Sequence, residues 1–379
     1  MPPPAERLSS LQVAPEIAFD LTPLQNAHRY RGIGTYVRGL ASRIAMQSEI
    51  PIEFWAWDTE VTFNAPPPHT TLRTGRPPMP EYRGAWLFAR YAMRRLSRQS
   101  RVRAVHVTDP DALTPLTGRR LLTTVYDLIP LKGGVARSRL LARRGYQTYL
   151  RNLAHVDILF AISEQTAGDL VELLRLPAQR IRLARPGVDV PAEGPRQVRR
   201  AQPYFLYIGG PNPNKNLSVL LDAMALCPEL TEELRVGGRW LPKQIAGLEA
   251  SVETGDLRGR VRHVGFVPPT ELTALMRDAT ALVVPSLDEG FGLPVAEGLG
   301  AGALVIHSRL PVLEETSRGA ALTFDPRSAA QLAECLRRAA GDKELVTRLR
   351  AEGQARAAKL TWDDAVQTTL ATYKSVLAT

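Results

Sequence analysis

Short unbroken apolar blocks, each closed by polar or turn residues, recur along the chain at residues 16–20, 102–107, 121–129 and 157–163. Blocks rich in branched and aromatic side chains, without alternation, predict parallel strands buried on both faces. Between them, apolar positions recur at helical spacing over 34–46, 84–99, 136–154 and 164–175. The plan repeats after residue 203, with blocks at 204–210, 233–238, 260–267, 279–286, 302–308 and 321–326. Such alternation predicts right-handed βαβ units wound into two parallel sheets, an α/β fold. The stretch "RPGVDVPAEGPRQVRRAQP" (185–203) is dense in proline, glycine and charge and reads as the linker. The predicted division is therefore 1–190 and 191–360, with 361–379 closing the chain; 379 residues suffice for two cores.

Composition excludes several classes. No apolar run of about 18 residues occurs, so no membrane-spanning helix is expected. The opening "MPPPAERLSS" lacks the apolar stretch of a secretory signal. Cys227 and Cys335 are the only cysteines and lie far apart, which fits a reducing, cytoplasmic setting. The net charge of +10 is uneven: residues 1–190 hold 26 basic against 16 acidic residues, and the remainder is balanced. An anionic partner is expected to meet the first half.

In doubly wound sheets, ligands sit beyond the C-terminal strand ends, where loops feed helix N-termini. The stretch "DEGFGLPVAEG" (288–298) has that position. Gly290 and Gly292 permit close backbone approach, and Pro294 suits a first helical turn. Glu297 is expected in that turn, with Glu289 in the loop ahead. Free N–H groups attract anions and carboxylates accept hydrogen bonds from hydroxyls, so the layout suits a nucleotide sugar. A loop glutamate beside a dipole-favoured one is the plainer account, and a glycosidase pair is another.

Further candidates are weaker. Lys215, in "YIGGPNPNKNL", lies where a helix begins, a place that favours a cation only when an anion is bound. Gly32-Ile33-Gly34 precede a predicted helix, but Val37 occupies the third-glycine place of a dinucleotide fingerprint. Asp109-Pro110-Asp111 has the spacing of metal-holding carboxylates and reads better as a turn. His106 reads as a core histidine, and Tyr126-Asp127 end a strand facing the expected cleft. No zinc cluster, P-loop or nucleophile elbow occurs.

Taken in order, these stretches resemble the family-four retaining glycosyltransferases of the two-domain GT-B fold, from about residue 16 to the C-terminus. "VVPSLDEGFGLPVAEGLGAGALVIHS" (283–308) carries the E-x₇-E signature, and "YIGGPNPNKNL" is similar to the phosphate-binding loop. "RGIGTYVRGL" resembles the first-domain glycine loop, "AISEQTAGDLVE" the serine-bearing strand end, and "RPGVD" the segment before the linker. "VRHVGFVPPTELTALM", which contains Val267, is similar to the lining of the base pocket. "TWDDAVQTTLATY" resembles the final helix, which in this fold crosses back to the first domain.

The resemblance implies two Rossmann-like domains facing a cleft, and transfer of a sugar from a nucleotide-diphosphate sugar to a hydroxyl with retained configuration, in polysaccharide or glycolipid biosynthesis. It puts Glu297 on the ribose, and Glu289 with the N–H groups of Phe291 and Gly292 on the donor sugar, flanked by Gly290 and Leu293. Lys215 falls on the diphosphate, with Gly34 and Gly210 nearby, and Glu289, Lys215, Tyr126 and Asp127 stand at catalytic contacts. Gly210 replaces a common arginine and Tyr126 a common histidine, while Leu304 stands for proline and Pro186 for asparagine. No cofactor or metal is expected, because Lys215 and helix N-termini supply the counter-charge. A GT-B sugar-nucleotide epimerase and a non-catalytic nucleotide-sugar-binding protein stand as alternatives.

The densest basic segment, 72–103, holds nine arginines against the single acid Glu81. In its helical part Trp86, Ala89, Met93 and Leu96 share one face and Arg90, Arg94 and Arg98 another. This is either a core helix with a solvated basic back or a docking face for an anionic membrane. The second reading places the protein peripherally at the inner face of the plasma membrane, with a lipid-linked saccharide as acceptor. No nucleic-acid-reading motif is present.

Overall fold

The computed structural model describes residues 14–59, 70–75, 85–132, 140–189, 202–253 and 257–379. The first sheet comprises β1 (Ile17–Asp20), β2 (Ile52–Ala56), β3 (Thr70–Thr74), β4 (Ala104–Val107), β5 (Arg120–Val125), β6 (Ile158–Ala161) and β7 (Ile181–Leu183). All are parallel, in the order β3-β2-β1-β4-β5-β6-β7. The second comprises β8 (Tyr204–Ile208), β9 (Glu233–Gly237), β10 (Val261–Gly265), β11 (Ala281–Val284), β12 (Val305–Ser308) and β13 (Leu322–Phe324). These too are parallel, in the order β10-β9-β8-β11-β12-β13. The expected α/β, doubly wound architecture is thus what the chain adopts. Central strands such as β1, β4 and β11 are buried at every position, which is why their sequences show no alternation.

Strand order reverses between β1 and β4 and again between β8 and β11. Loops leaving a parallel sheet on either side of such a point diverge and open a crevice. The loops after β8 and β11 hold Lys215 and Glu289, so topology alone brings these distant residues together.

β2, β3 and β7 lie outside the predicted blocks. β2 is fully buried but contains a carboxylate, Glu53, which interrupts its apolar run. That carboxylate accepts hydrogen bonds from Trp55 Nε1 (2.9 Å), Ser100 Oγ (2.5 Å) and Arg73 Nε (2.6 Å), so its burial is compensated. β3 and β7 are sheet edges, where short, partly polar strands are usual. The block 121–129 stops as a strand at Val125, because Asp127 Oδ1 takes the Ile129 N–H (3.1 Å) and turns the chain. Residues 136–139 and 84 of two predicted helices lie outside the described residues, as do 190–201 of the linker and hence the 190/191 boundary.

Helix Asp363–Ala378 packs on the first sheet's side of the molecule. Its Tyr373 hydroxyl meets His106 Nδ1 at 2.7 Å, while His106 Nε2 meets Thr124 Oγ1 at 2.9 Å. His106 is completely buried, a core histidine. Ahead of the helix, Trp362 packs so closely on Gly39 that a Cβ there would stand 2.2 Å from its ring.

Helix Ala85–Gln99 departs from the expected two-faced pattern. Ala89, Met93 and Leu96 are buried as predicted, and Arg94 and Arg98 are exposed, but Arg90 is buried. Its Nε donates to the Leu113 carbonyl (3.0 Å) and one terminal nitrogen to that of Gly145 (3.3 Å), with the guanidinium over Trp86. Arg90 therefore ties the loop after β4 to helix Leu140–Leu153 and contributes nothing to a basic surface. Arg90→Ala should lower unfolding free energy by about 1–3 kcal/mol, whereas Arg94→Ala should stay within about 0.5 kcal/mol of wild type in urea titrations.

Candidate active site

β8 runs into Gly209-Gly210 and a 3₁₀ turn, Pro213–Lys215, before helix Leu217–Ala225 begins. Asn212 caps the turn by accepting the Asn214 N–H (3.1 Å), and Asn216 takes a left-handed φ of 52° between turn and helix. Lys215 thus lies in the turn ahead of the helix. Its Nζ donates to Glu289 Oε1 at 2.6 Å, and Ser286 Oγ donates to the same oxygen at 2.7 Å. Asn214 Nδ2 donates to the Asp288 carbonyl (2.8 Å), and the Leu287 N–H to that of Asn214 (2.8 Å), lacing the two loops together.

The loop after β11 enters helix Leu293–Gly300 through Gly292, whose φ of +89° suits glycine. A Cβ on Gly292 would also strike Leu313 at 2.4 Å. The N–H groups of Gly290, Phe291 and Gly292 have no acceptor among the described residues. Glu297 falls in the second turn of the helix, one turn later than expected, because the helix starts only at Leu293. Its carboxyl group has no hydrogen-bond partner among the described residues, and burial pushes its pKa up to about 7.

This loop rests on the first sheet. A Cβ at Gly290 would stand 2.1 Å from the Tyr126 carbonyl oxygen. Thr166 Oγ1 is 3.4 Å from both that oxygen and the Gly290 carbonyl. Phe291 is buried in the first sheet's core, and Leu293 packs beside Gly32. Asp127 faces Lys215, Glu289 and Asp288; burial raises its pKa, the two carboxylates add to that, and Lys215 opposes it.

Other expected residues are placed differently. The Tyr126 ring is buried against Tyr36 and donates its hydroxyl to the Thr108 carbonyl (3.0 Å), so only its backbone reaches the loop. A catalytic role for that ring does not go with this placement, and the loose acid/base set of Asp109, His106 and Tyr126 is likewise engaged. The helix begins at Gly32, so Gly32-Ile33-Gly34 form its first turn and not a loop before it. Gly34 is explained by packing, since a Cβ would stand 2.6 Å from the His28 carbonyl oxygen. Gly210 has open space around it, and Val267 lies beside Gly237 at the end of β9.

Asp109 and Asp111 form the expected turn, with the Asp111 N–H on Asp109 Oδ1 (2.9 Å) and the Ala112 N–H on the Asp109 carbonyl (3.0 Å). Sequence reasoning missed His28, which brings a third ligand atom within 4.8 Å of theirs, a set able to hold a divalent cation. It also missed the seam cations. Lys132 pairs with Asp169 (2.5 Å) and approaches Asp288 (4.0 Å), and Arg185 bridges Glu164 (2.5 Å) and Glu315 (2.7 Å). A cavity of 520 Å³ opens between these residues. Such pairs join residues 21 to 156 positions apart and leave no local signal.

Two family models match the chain: "Glycosyltransferase Family 4" over residues 30–191 and "Glycosyl transferases group 1" over 194–356. The chain is 28 % identical over 283 residues to O-antigen chain mannosyltransferase B of Escherichia coli, covering 70 % of this chain and 73 % of that protein. Against a longer E. coli relative, serotype-specific mannosyltransferase WbdA, it is 27 % identical and spans 31 % of that protein's length. Among solved structures it is similar to sucrose-phosphate synthase of Thermosynechococcus elongatus (TM-score 0.80, 20 % identity, 96 % of this chain and 99 % of that one). It is also similar to Anabaena HepE in complex with UDP and glucose (TM-score 0.74, 15 % identity, 95 % and 99 %).

Glu297 supplies a test of this geometry. Its pKa rises from 4.5 in the unfolded chain to about 7, so its ionisation opposes folding increasingly as pH climbs between those values. Glu297→Gln should flatten that dependence and exceed wild type in stability at pH 8 by on the order of 1–3 kcal/mol, with little difference at pH 5. Urea unfolding at both pH values checks this.

Proposed function

The chain belongs to the family 4 glycosyltransferases, and on that premise we propose that it moves a sugar from a nucleotide-diphosphate sugar to a hydroxyl of a saccharide acceptor, retaining the anomeric configuration. The observation that carries this reading is the Lys215–Glu289 pair set against three unpartnered N–H groups at a switch point of the second sheet. The two relatives described above are mannosyltransferases by name, and HepE was crystallised with UDP and glucose, which supports the donor class.

The diphosphate would draw Lys215 away from Glu289, leaving that carboxylate to accept hydrogen bonds from donor-sugar hydroxyls. Glu297, unpartnered at the helix, suits the ribose hydroxyls. As the bond between the anomeric carbon and the diphosphate oxygen breaks, negative charge grows on the leaving group, where Lys215 and the loop N–H groups oppose it. The acceptor oxygen bonds the same face of the anomeric carbon, and its proton passes to the leaving phosphate. Packing of the loop on the first half covers one side of this site. The counter-charge comes from the protein, so no metal is invoked.

Lys215→Ala should reduce turnover by about 2–4 kcal/mol of transition-state stabilisation, and wild-type activity should survive EDTA. Near-normal turnover in the variant, or a strict Mn²⁺ or Mg²⁺ requirement abolished by Asp109→Ala, contradicts this account.

The acceptor side involves the first half. On helix Ala85–Gln99 the exposed residues Leu87, Tyr91, Arg94 and Arg98 form one outward stripe. Among the described residues no helix is long and apolar enough to cross a membrane. We read the stripe as a peripheral docking face for the anionic inner leaflet, delivering a lipid-linked saccharide, with each arginine adding roughly 1 kcal/mol. In flotation assays wild type should bind anionic but not neutral liposomes at low salt, and an Arg94/Arg95/Arg98→Gln variant should not. Indifference of wild type to anionic liposomes removes the membrane from the proposal.

A further inference from the structure

Tyr30 ends a short 3₁₀ turn, Ala27–Tyr30, in the first half, with its ring 42 % exposed. Phe266 of the second half meets that ring edge-on at 5.5 Å between centroids. Two guanidinium groups also sit on it, Arg29 at 4.2 Å from the first half and Arg239 at 4.6 Å from the second. Neither arginine pairs with a carboxylate among the described residues. Two like charges share one aromatic ring, and a cation–π contact at an exposed site is a weak hold. Such an arrangement calls for an anion.

The backbone fixes where that anion would lie. Arg239 follows β9, and the Gly238 N–H donates to the Gly265 carbonyl (2.9 Å). A Cβ on Gly238 would stand 2.2 Å from the Gly209 carbonyl oxygen, and Trp240 Nε1 donates to that same oxygen (2.8 Å). Residues 238–240 are thus pinned against the Gly209-Gly210 loop that leads to Lys215. Around Gly210 no atom of the described residues comes within 4 Å of where a Cβ would be, so there is open space at the loop against which residues 238–240 are pinned. Lys215 shares its charge with Glu289, whereas the charge of Arg239 is uncommitted.

We propose that Arg239 is a second diphosphate-binding cation, held on the Tyr30 ring until a nucleoside diphosphate enters between the two halves. Arg29, from the first half, sits on the same ring and would meet the same anion. This rests on the reading of the cleft as a nucleotide-sugar site and adds to it the residue that recognises the second phosphate.

The test is calorimetric titration of wild type, Arg239→Ala, Arg239→Lys and Arg29→Ala with GDP, UDP, GMP and UMP. Wild type should prefer one diphosphate over its monophosphate. Arg239→Ala should weaken that diphosphate at least tenfold while changing the monophosphate less than threefold, and Arg239→Lys should recover part of the loss. If Arg239→Ala leaves diphosphate affinity intact, or weakens mono- and diphosphate alike, the assignment is overturned and the donor reading stands. If wild type binds neither GDP nor UDP, both fall together.

Discussion

The two sheets meet through a contact between backbones. The α-carbon of Gly290 lies so near the Tyr126 carbonyl that a single methyl group would stand 2.1 Å from the oxygen. No rotamer change relieves an overlap with main chain, so the halves approach this closely only because residue 290 is glycine. Phe291 reaches the first core because residue 290 carries no side chain, and Thr166 lies within reach of both carbonyls. Asp127, one residue on from the contact, is thereby held opposite Lys215 and Glu289. The positions of the reactive groups follow from this spacing.

Around that contact the charges are arranged in expectation of an anion. Glu297 has no hydrogen-bond partner among the described residues, Asp127 faces two carboxylates, and Lys215 is occupied by Glu289. Burial raises the pKa of Glu297 and of Asp127, whereas Lys215 and Glu289 satisfy each other. In the proposed donor complex a diphosphate would meet Lys215 and the loop N–H groups, and hydroxyls would meet the carboxylates, so one ligand would settle several unfavourable terms at once. Binding sites that are poorly satisfied when empty are the ones that discriminate strongly when filled.

How much of this could be read from the residues divides along the range of the interactions. The buried central strands announced themselves as unbroken apolar runs, and the loop 288–298 by its glycines and flanking glutamates. β2 was hidden because Glu53, satisfied by Trp55, Ser100 and Arg73, looks polar in sequence and is core in space. Arg90 was misplaced for the matching reason, since its partners Leu113 and Gly145 lie far along the chain. Tyr126 appeared to face the cleft because a strand end does, but its hydroxyl finds Thr108 on the neighbouring strand's exit. The cluster of Arg29, Tyr30, Arg239 and Phe266 joins residues more than two hundred positions apart, beyond any local pattern.

The final helix gives the chain an unusual order of assembly. Tyr373 supplies one of the two hydrogen bonds that satisfy His106, a histidine buried in the sheet made first of the two. Until residues near 373 emerge, that imidazole faces an open apolar surface, and the first core lacks one of its covering helices. The second sheet, whose strands lie wholly between, has no such wait and is free to fold while the first is still incomplete. Contacts of such long sequence separation are slow to form, so the first half should be the later to settle although it is made earlier. A nascent chain of this protein thus carries an unfinished hydrophobic face until that helix emerges.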